Sequence, residues 1–328
     1  MKKLIFIITL GVCLNASGQD KVGYNLEYDE PENVSNLFVC IDLPIGYDFN
    51  NVQDFDIMAG GSFYFDIWDR FNITTSYRRS VYNLDKLASG NTNPSEIPVF
   101  NNFELGGAYY FSSRVKDTKT KVRLRTSHGY KYDYVYSAII PHQGKIMYGL
   151  RAGMQAMGSH IYIPSEISIV NPSNAYSDKY LKYKMTGFYL GVQRSKAINL
   201  GVDVEGYGFR GMNQYELYAF DVMFCNYKIN DKAGNSMDNI FFDVDGTNIS
   251  LKEGIKSAIG MRIMYVRQKC RTNKLLGTYI RIEVGLRPGY ENDKVKLGLA
   301  ALDGIVSRAY ASMSYGITFN GKIAKSNQ

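Results

Sequence analysis

Proline is scarce in this chain, at 8 of 328 residues, and tryptophan occurs once. Beyond the first dozen residues no apolar run approaches the roughly 20 residues that a spanning helix needs, which excludes a helical membrane protein. The 4 cysteines sit at Cys13, Cys40, Cys225 and Cys270. Without paired close spacing they support neither a disulfide scaffold nor a cysteine-rich zinc site. The 3 histidines, His128, His142 and His160, leave little material for a metal or acid–base centre. Charge of one sign is also lacking as a block: the formal net charge is +7, and removing Lys2 and Lys3 lowers it by two, to +5. Lys and Arg alternate with acids along most of the chain, so no basic stripe marks a nucleic-acid binder.

What is abundant is aromatic and small: 27 Tyr, 17 Phe and 31 Gly. That balance favours strands over helices. The first 18 residues read as a cleavable secretory leader, with Lys2 and Lys3 ahead of the short apolar stretch Leu4 to Leu14 and small residues Ala16, Ser17 and Gly18 before Gln19. Cys13 does not make this a lipoprotein signal, because Val12 precedes it where a small residue is needed.

Period-two alternation then fills the mature chain. Phe55, Ile57, Ala59, Gly61, Phe63, Phe65 and Ile67 occupy one parity, and Asp54, Asp56, Met58, Gly60, Ser62, Tyr64 and Asp66 the other. A Trp68–Arg70 turn and a second alternating run make a hairpin. The same grammar predicts strands over 37–46, 54–67, 70–82, 101–112, 121–139, 144–157, 181–193, 198–208, 215–228, 257–269, 275–288 and 304–319. Several match the roughly 9 to 11 residues of a tilted strand crossing a bilayer, and long connections alternate with short ones. The expected fold is all-β, a transmembrane antiparallel up-and-down barrel of about 12 strands. Splitting 121–139 near Gly129 and adding a hairpin around Asp245-Gly246 gives 14 and a stricter alternation of loop lengths. Residues 19–36 are expected to form a short periplasmic segment, 37–320 the barrel and 321–328 a tail.

The polar parity carries the functional expectation. Its acids are Asp54, Asp56, Asp66, Glu104, Asp203, Glu205, Asp221 and Glu283; its bases are Arg78, Arg123, Arg125, Arg151, Arg262, Arg281, Arg287 and Arg308. Every base is Arg, the side chain suited to bidentate, partly desolvated pairing with carboxylates. These sixteen residues are expected to form a charge network inside a barrel lumen.

The sequence resembles the outer-membrane β-barrel proteins of Bacteroidota-type Gram-negative bacteria. The resemblance rests on Ala16-Ser17-Gly18 before Gln19, the Gly60-Gly61-Ser62-Phe63-Tyr64-Phe65 hairpin type, the Gly285-Leu286-Arg287-Pro288-Gly289-Tyr290 strand end and the closing Tyr310 to Phe319 strand. It implies an outer-membrane location, with lipid as surroundings and envelope proteins as partners through long loops or periplasmic turns. The early Asn-Pro-Ala-Tyr-type segment of gliding and type IX secretion barrels is missing.

Other chemistry is thin. Ser127 and His128 are sequence neighbours and point to opposite faces of a strand, and Ser137 meets His142 only through loop folding. Asp243-Val244-Asp245-Gly246 reads as an Asp-Gly turn rather than a calcium loop, and the stripe Tyr130, Tyr132, Tyr134, Tyr136 as an aromatic girdle. The expectation is therefore no enzyme, no cofactor and no metal: a barrel with a narrow or closed charged lumen, acting as a structural or partner-binding envelope component. A porin-like diffusion channel, a secretion or gliding component and an outer-membrane lipid-modifying enzyme are the alternatives.

Overall fold

The computed structural model describes residues 23–34, 36–48, 54–67, 70–83, 101–128, 133–162, 168–170, 180–230, 241–244, 247–250, 258–271, 275–286, 288 and 309–321. The leader expected over 1–18, and Arg287 and Arg308, lie outside the described residues.

Alternating sequence becomes alternating geometry. The strands are β1 (Tyr24–Asp29), β2 (Leu37–Asp48), β3 (Asp54–Ile67), β4 (Phe71–Asn83), β5 (Asn101–His128), β6 (Asp133–Tyr162), β7 (Ser168–Val170), β8 (Tyr180–Val204), β9 (Gly208–Asn230), β10 (Phe241–Val244), β11 (Thr247–Ser250), β12 (Ile259–Cys270), β13 (Leu276–Leu286) and β14 (Ala309–Gly321). All pairings are antiparallel, in the order β8-β6-β5-β4-β3-β2-β14-β13-β12-β9, and β9 returns to β8. The ring is a closed barrel of 10 strands, with β1 outside it on β8. Strands β7, β10 and β11 form a separate three-stranded sheet.

Closure removes free edges from the ring, and the pleat then sorts side chains between lumen and exterior. On β12 every second residue from Gly260 is buried. Outward positions are apolar around the ring, including Ile41, Leu43, Leu150, Met154, Ile263 and Tyr315. An apolar exterior on this scale is far larger than water tolerates on a soluble monomer, and it fits a bilayer. No helix of the described residues is long and apolar enough to cross a membrane.

The expected count of 12 strands, or 14, is corrected to 10. Residues 101–112, 121–139 and 144–157 are not three strands but two, β5 and β6, and 181–193, 198–208 and 215–228 are likewise β8 and β9. The charged run Lys116–Lys119 reads as a turn, yet β5 continues through it, with Lys116 opposite Gly144 and Lys119 opposite Pro141. Charge breaks the membrane pattern there because the strand has left the ring: β5 pairs with β4 only over Asn101–Tyr109. The hairpin expected around Asp245-Gly246 exists as β10–β11, but outside the barrel.

Strands β5, β6, β8 and β9 thus project past the rim that carries the short turns. Their apolar faces meet there, with Leu124, Ala138 and Ile140 packed with Leu200, Val202 and Val204. This annex inverts the membrane rule, since its apolar parity is buried and its polar parity exposed. The β8–β9 turn places Gly206 and Gly208 at φ of 74° and 71°, a region that β-branched and bulky residues avoid. Strand β1 adds to β8 at this level, Tyr24 opposite Val204 and Asp29 opposite Leu200.

Candidate functional site: a charged plug across the lumen

The inward parity of the ring delivers three acids and three arginines to one level of the lumen. Glu104 comes from β5, Arg151 from β6, Asp221 from β9, Arg262 from β12, and Arg281 and Glu283 from β13. All are buried, with Arg262 and Asp221 at 0% exposure.

Glu104 is the hub. Arg262 donates to both its oxygens, Nη1 to Oε2 and Nη2 to Oε1, each at 3.0 Å. Arg151 Nη2 donates to Oε1 at 2.6 Å and Arg281 Nη2 to Oε2 at 3.1 Å. Arg262 also donates from Nε and Nη2 to Asp221 Oδ2, at 3.0 and 2.6 Å. Arg151 Nε lies 3.1 Å from Asp221 Oδ1. Glu283 accepts from Arg281 Nη2 and from the Tyr310 hydroxyl, both at 2.6 Å. Three positive and three negative groups balance, which is how a set of buried charges avoids an unpaired ion.

Strand order gives these bonds their meaning. From β5 the ring runs through β4, β3, β2 and β14 before reaching β13, half the circumference away. The Glu104–Arg281 bond therefore spans the lumen at its full width. Tyr189 fills the space beside it: its ring lies under both Arg151 and Arg262, with 4.9 Å from each guanidinium carbon to the ring centroid. That ring needs Gly106 and Gly153, where a Cβ would stand 2.0 Å and 2.4 Å from the Tyr189 hydroxyl oxygen.

Toward the short-turn rim lies an aromatic layer. Tyr64 and Tyr279 hydroxyls are 3.2 Å apart, and the Tyr110 hydroxyl bonds Tyr215 at 3.0 Å and accepts from Gln193 at 2.8 Å. Phe38, Leu217 and Val266 pack among them. The wall formed by β2, β3, β4 and β14 is different, with small polar side chains facing in. Arg78 meets Asp42 at 3.5 Å and Ser62 at 3.3 Å there, while Thr74 Oγ1, Ser76 Oγ and Ser314 Oγ are buried without a hydrogen-bond partner among the described residues.

The sixteen expected lumen residues divide accordingly. Glu104, Arg151, Asp221, Arg262, Arg281 and Glu283 come together, and Arg78 faces the lumen beside them. Asp66 is half-buried near the short-turn rim and accepts from Asn72 at 2.7 Å. Arg123, Arg125, Asp203 and Glu205 are not in the lumen: they are exposed on the annex, because β5 and β8 have passed the rim and polar parity there means water. Asp54 and Asp56 lie on β3 at positions whose side chains are outside the described set, and Arg287 and Arg308 are undescribed altogether. Sequence reasoning missed Asp42, Tyr189 and Tyr310. Asp42 shares the polar parity of β2 with Cys40 and Pro44, and tyrosine reads equally as girdle or lumen.

Of the other candidates, Ser137 and His142 lie on β6 at opposite parity. His142 is buried in the annex, with Nε2 3.0 Å from Thr120 Oγ1 and Nδ1 2.6 Å from the Gln143 carbonyl oxygen. Tyr136 is exposed beyond the rim, and the side chains of Tyr130, Tyr132 and Tyr134 are outside the described set. Cys40, Cys225 and Cys270 are free and buried. Among the described residues no group of three or more His, Cys, Asp or Glu is placed to hold a metal.

Neither a family model nor a curated protein matches the chain. Among solved structures it is similar to the outer membrane protease OmpT from Escherichia coli, at 8% identity and TM-score 0.38, over 90% of this chain and 98% of that one. LpxR from Salmonella typhimurium aligns at 6% identity and TM-score 0.30, over 87% and 99%. An anion-selective porin from Comamonas acidovorans aligns at 10% and 0.17, over 90% and 99%. These neighbours are outer-membrane barrels, consistent with the 10-strand ring and its apolar exterior. The expectation that the chain is no enzyme is corrected: the first of these neighbours is a protease, so the fold does not exclude an enzyme. Identities and TM-scores this low carry no activity to this chain.

Proposed function

We propose that the protein is a sealed outer-membrane barrel whose work is done at its rims, as a structural or partner-binding component of the envelope. The carrying observation is the Glu104–Arg281 bond, made across the full width of the lumen inside a neutral cluster of six buried charges. A solute crossing through the cluster must break charge-assisted bonds between buried groups. Long connections 84–100, 163–179, 231–258 and 287–308 all leave one rim, which by the usual asymmetry of such barrels faces outward. The annex then stands in the periplasm. Reconstituted into planar bilayers, the folded protein is expected to be electrically silent, and regular single-channel steps would overturn the sealed reading.

A second reading is favoured by the small polar wall of β2, β3, β4 and β14. Buried hydroxyls without partners among the described residues are of the kind that water ordinarily satisfies, which supports a thin hydrated path beside the plug. That reading predicts osmotic water flux into proteoliposomes above the lipid background with no ionic conductance.

A further inference from the structure

The annex has an open strand edge, and its charges are divided by side. Past Tyr110, whose N–H bonds the Arg70 carbonyl, β5 has β6 on one side only among the described residues. Arg210 caps the Leu124 carbonyl farther along, so among the described residues the open stretch is 111–122. A long unpaired edge is a template for another strand unless it is guarded. This one carries exposed Arg114, Lys116, Lys119 and Lys121 against a single exposed acid, Asp117.

The other side of the annex is its complement. Glu27, Glu30, Glu32, Asp203 and Glu205 are all exposed there, beside exposed Tyr24 and Leu26. Strand β1 pairs only with β8 among the described residues. Asp29 anchors its inner end by accepting from the Gln143 N–H, which leaves Tyr24–Glu27 as the outlying part. The two edges stand at one depth. Strand β1 faces Leu200–Val204 of β8, whose side chains pack with Leu124, Ala138 and Ile140, and those last two pair with Val122 and Thr120 of β5.

We propose that neighbouring copies of this chain associate side by side through the annex, the acidic β1 edge of one copy adding antiparallel to the basic β5 edge of the next. The proposal rests on the membrane placement above, because copies in one membrane share a direction. Strand β1 runs toward the barrel and β5 away from it, so the two meet antiparallel without either copy being turned over. Different patches meet, so the contact is heterologous and repeats into rows rather than closing a dimer. Charge complementarity sets which edges meet, and the main-chain ladder supplies the rest.

The test uses the full chain in outer-membrane vesicles. Native Cys40, Cys225 and Cys270 are buried, so an Asn25→Cys/Lys121→Cys variant reports the contact by oxidative cross-linking. A ladder of dimers and higher multimers is expected, falling at least tenfold when Lys116→Glu, Lys119→Glu and Lys121→Cys are combined with Asn25→Cys. Glu27→Lys/Glu30→Lys/Glu32→Lys should also remove it, and carrying both charge swaps in one chain should restore it. A heat-modifiable gel shift confirms that each variant is a folded barrel. Folded protein that gives no ladder overturns the proposal. So does a ladder lost with the basic swap but kept with the acidic one, which would assign the β5 edge to a different acidic partner. Conductance is read separately, so neither result depends on whether the lumen is sealed.

Discussion

Replacing Glu104 with Gln removes one charge from the centre of the plug while keeping its shape. In the native protein Glu104 accepts four hydrogen bonds from three arginines, and the six-charge cluster is neutral. The variant leaves Arg151, Arg262 and Arg281 facing only Asp221 and Glu283, with one guanidinium charge uncompensated and no bulk water beside it. Removing one partner of a buried ion pair costs about 3 to 5 kcal/mol, and the hub position argues for the upper half of that range. Glu283→Gln should cost less, because Glu283 accepts a hydrogen bond from one arginine and a tyrosine hydroxyl and meets Arg262 only at 3.7 Å. Adding Arg281→Met to Glu104→Gln restores neutrality and should recover part of the loss, a coupling that the double-mutant cycle measures directly. The assay is the midpoint of the heat-modifiable gel shift, with conductance recorded in parallel. If Glu104→Gln unfolds at the native temperature and stays silent in bilayers, the plug neither stabilises nor seals the barrel and the reasoning fails.

Further outcomes follow from other levels of the structure. Ile280→Arg or Phe63→Arg, on the outward parity, should cost about 2 to 4 kcal/mol if the side chain lies near the midplane, whereas Ser62→Ala should be mild; equal tolerance at both parities would sink the membrane placement. Gly106→Ala puts a Cβ 2.0 Å from the Tyr189 hydroxyl and 2.7 Å from the Ala152 carbonyl, so folding yield should fall and the Tyr189→Phe background should relieve only the first clash. Burial holds the His142 imidazole below its ordinary value, against the opposing pull of Asp29 and the Gln143 carbonyl. A base depressed in the folded state favours folding above its unfolded value of about 6.5 and withdraws that support as pH falls. Amide protection factors around Thr120 and Gln143, taken against the intrinsic exchange rate at each pH, should therefore fall below pH 6.5, and His142→Gln should flatten the dependence.

The period-two pattern made the ring legible because a bilayer enforces it. Each strand from β2 to β14 that belongs to the ring must show lipid one face and the lumen the other, and Phe63 and Ser62 record that rule directly. Glu104, Arg151, Asp221, Arg262, Arg281 and Glu283 stand on the polar parity within ring segments, where the structure brings them together. The rule failed where the solvent changed. Beyond the rim water replaces lipid, so Lys119 and Lys121, opposite Pro141 and Ile139 on the parity that faces the lumen at Arg151, are exposed, and a continuing strand reads as a turn. Val202 and Val204 invert in the same way, from an expected lipid face to a buried core.

Parity by itself therefore does not say which face is which; the surrounding medium does. On β5 the inward series runs Asn102, Glu104, Gly106, Ala108 and Tyr110, and past a register shift after Tyr110 the buried face reaches Leu124. On its partner β6 the lipid-facing series Met154, Leu150 and Tyr148 continues into buried Ile140 and Ala138, while the parity that faces the lumen at Arg151 continues into exposed Pro141 and Ile139, opposite Lys119 and Lys121. Both reversals fall where β4 stops pairing with β5, which ties the chemistry of the annex to the end of the ring. That coincidence explains the free edge as well. A ring strand has two neighbours, and a strand that outruns one of them must either be covered or charged, which is the condition in which β5 presents Lys116, Lys119 and Lys121.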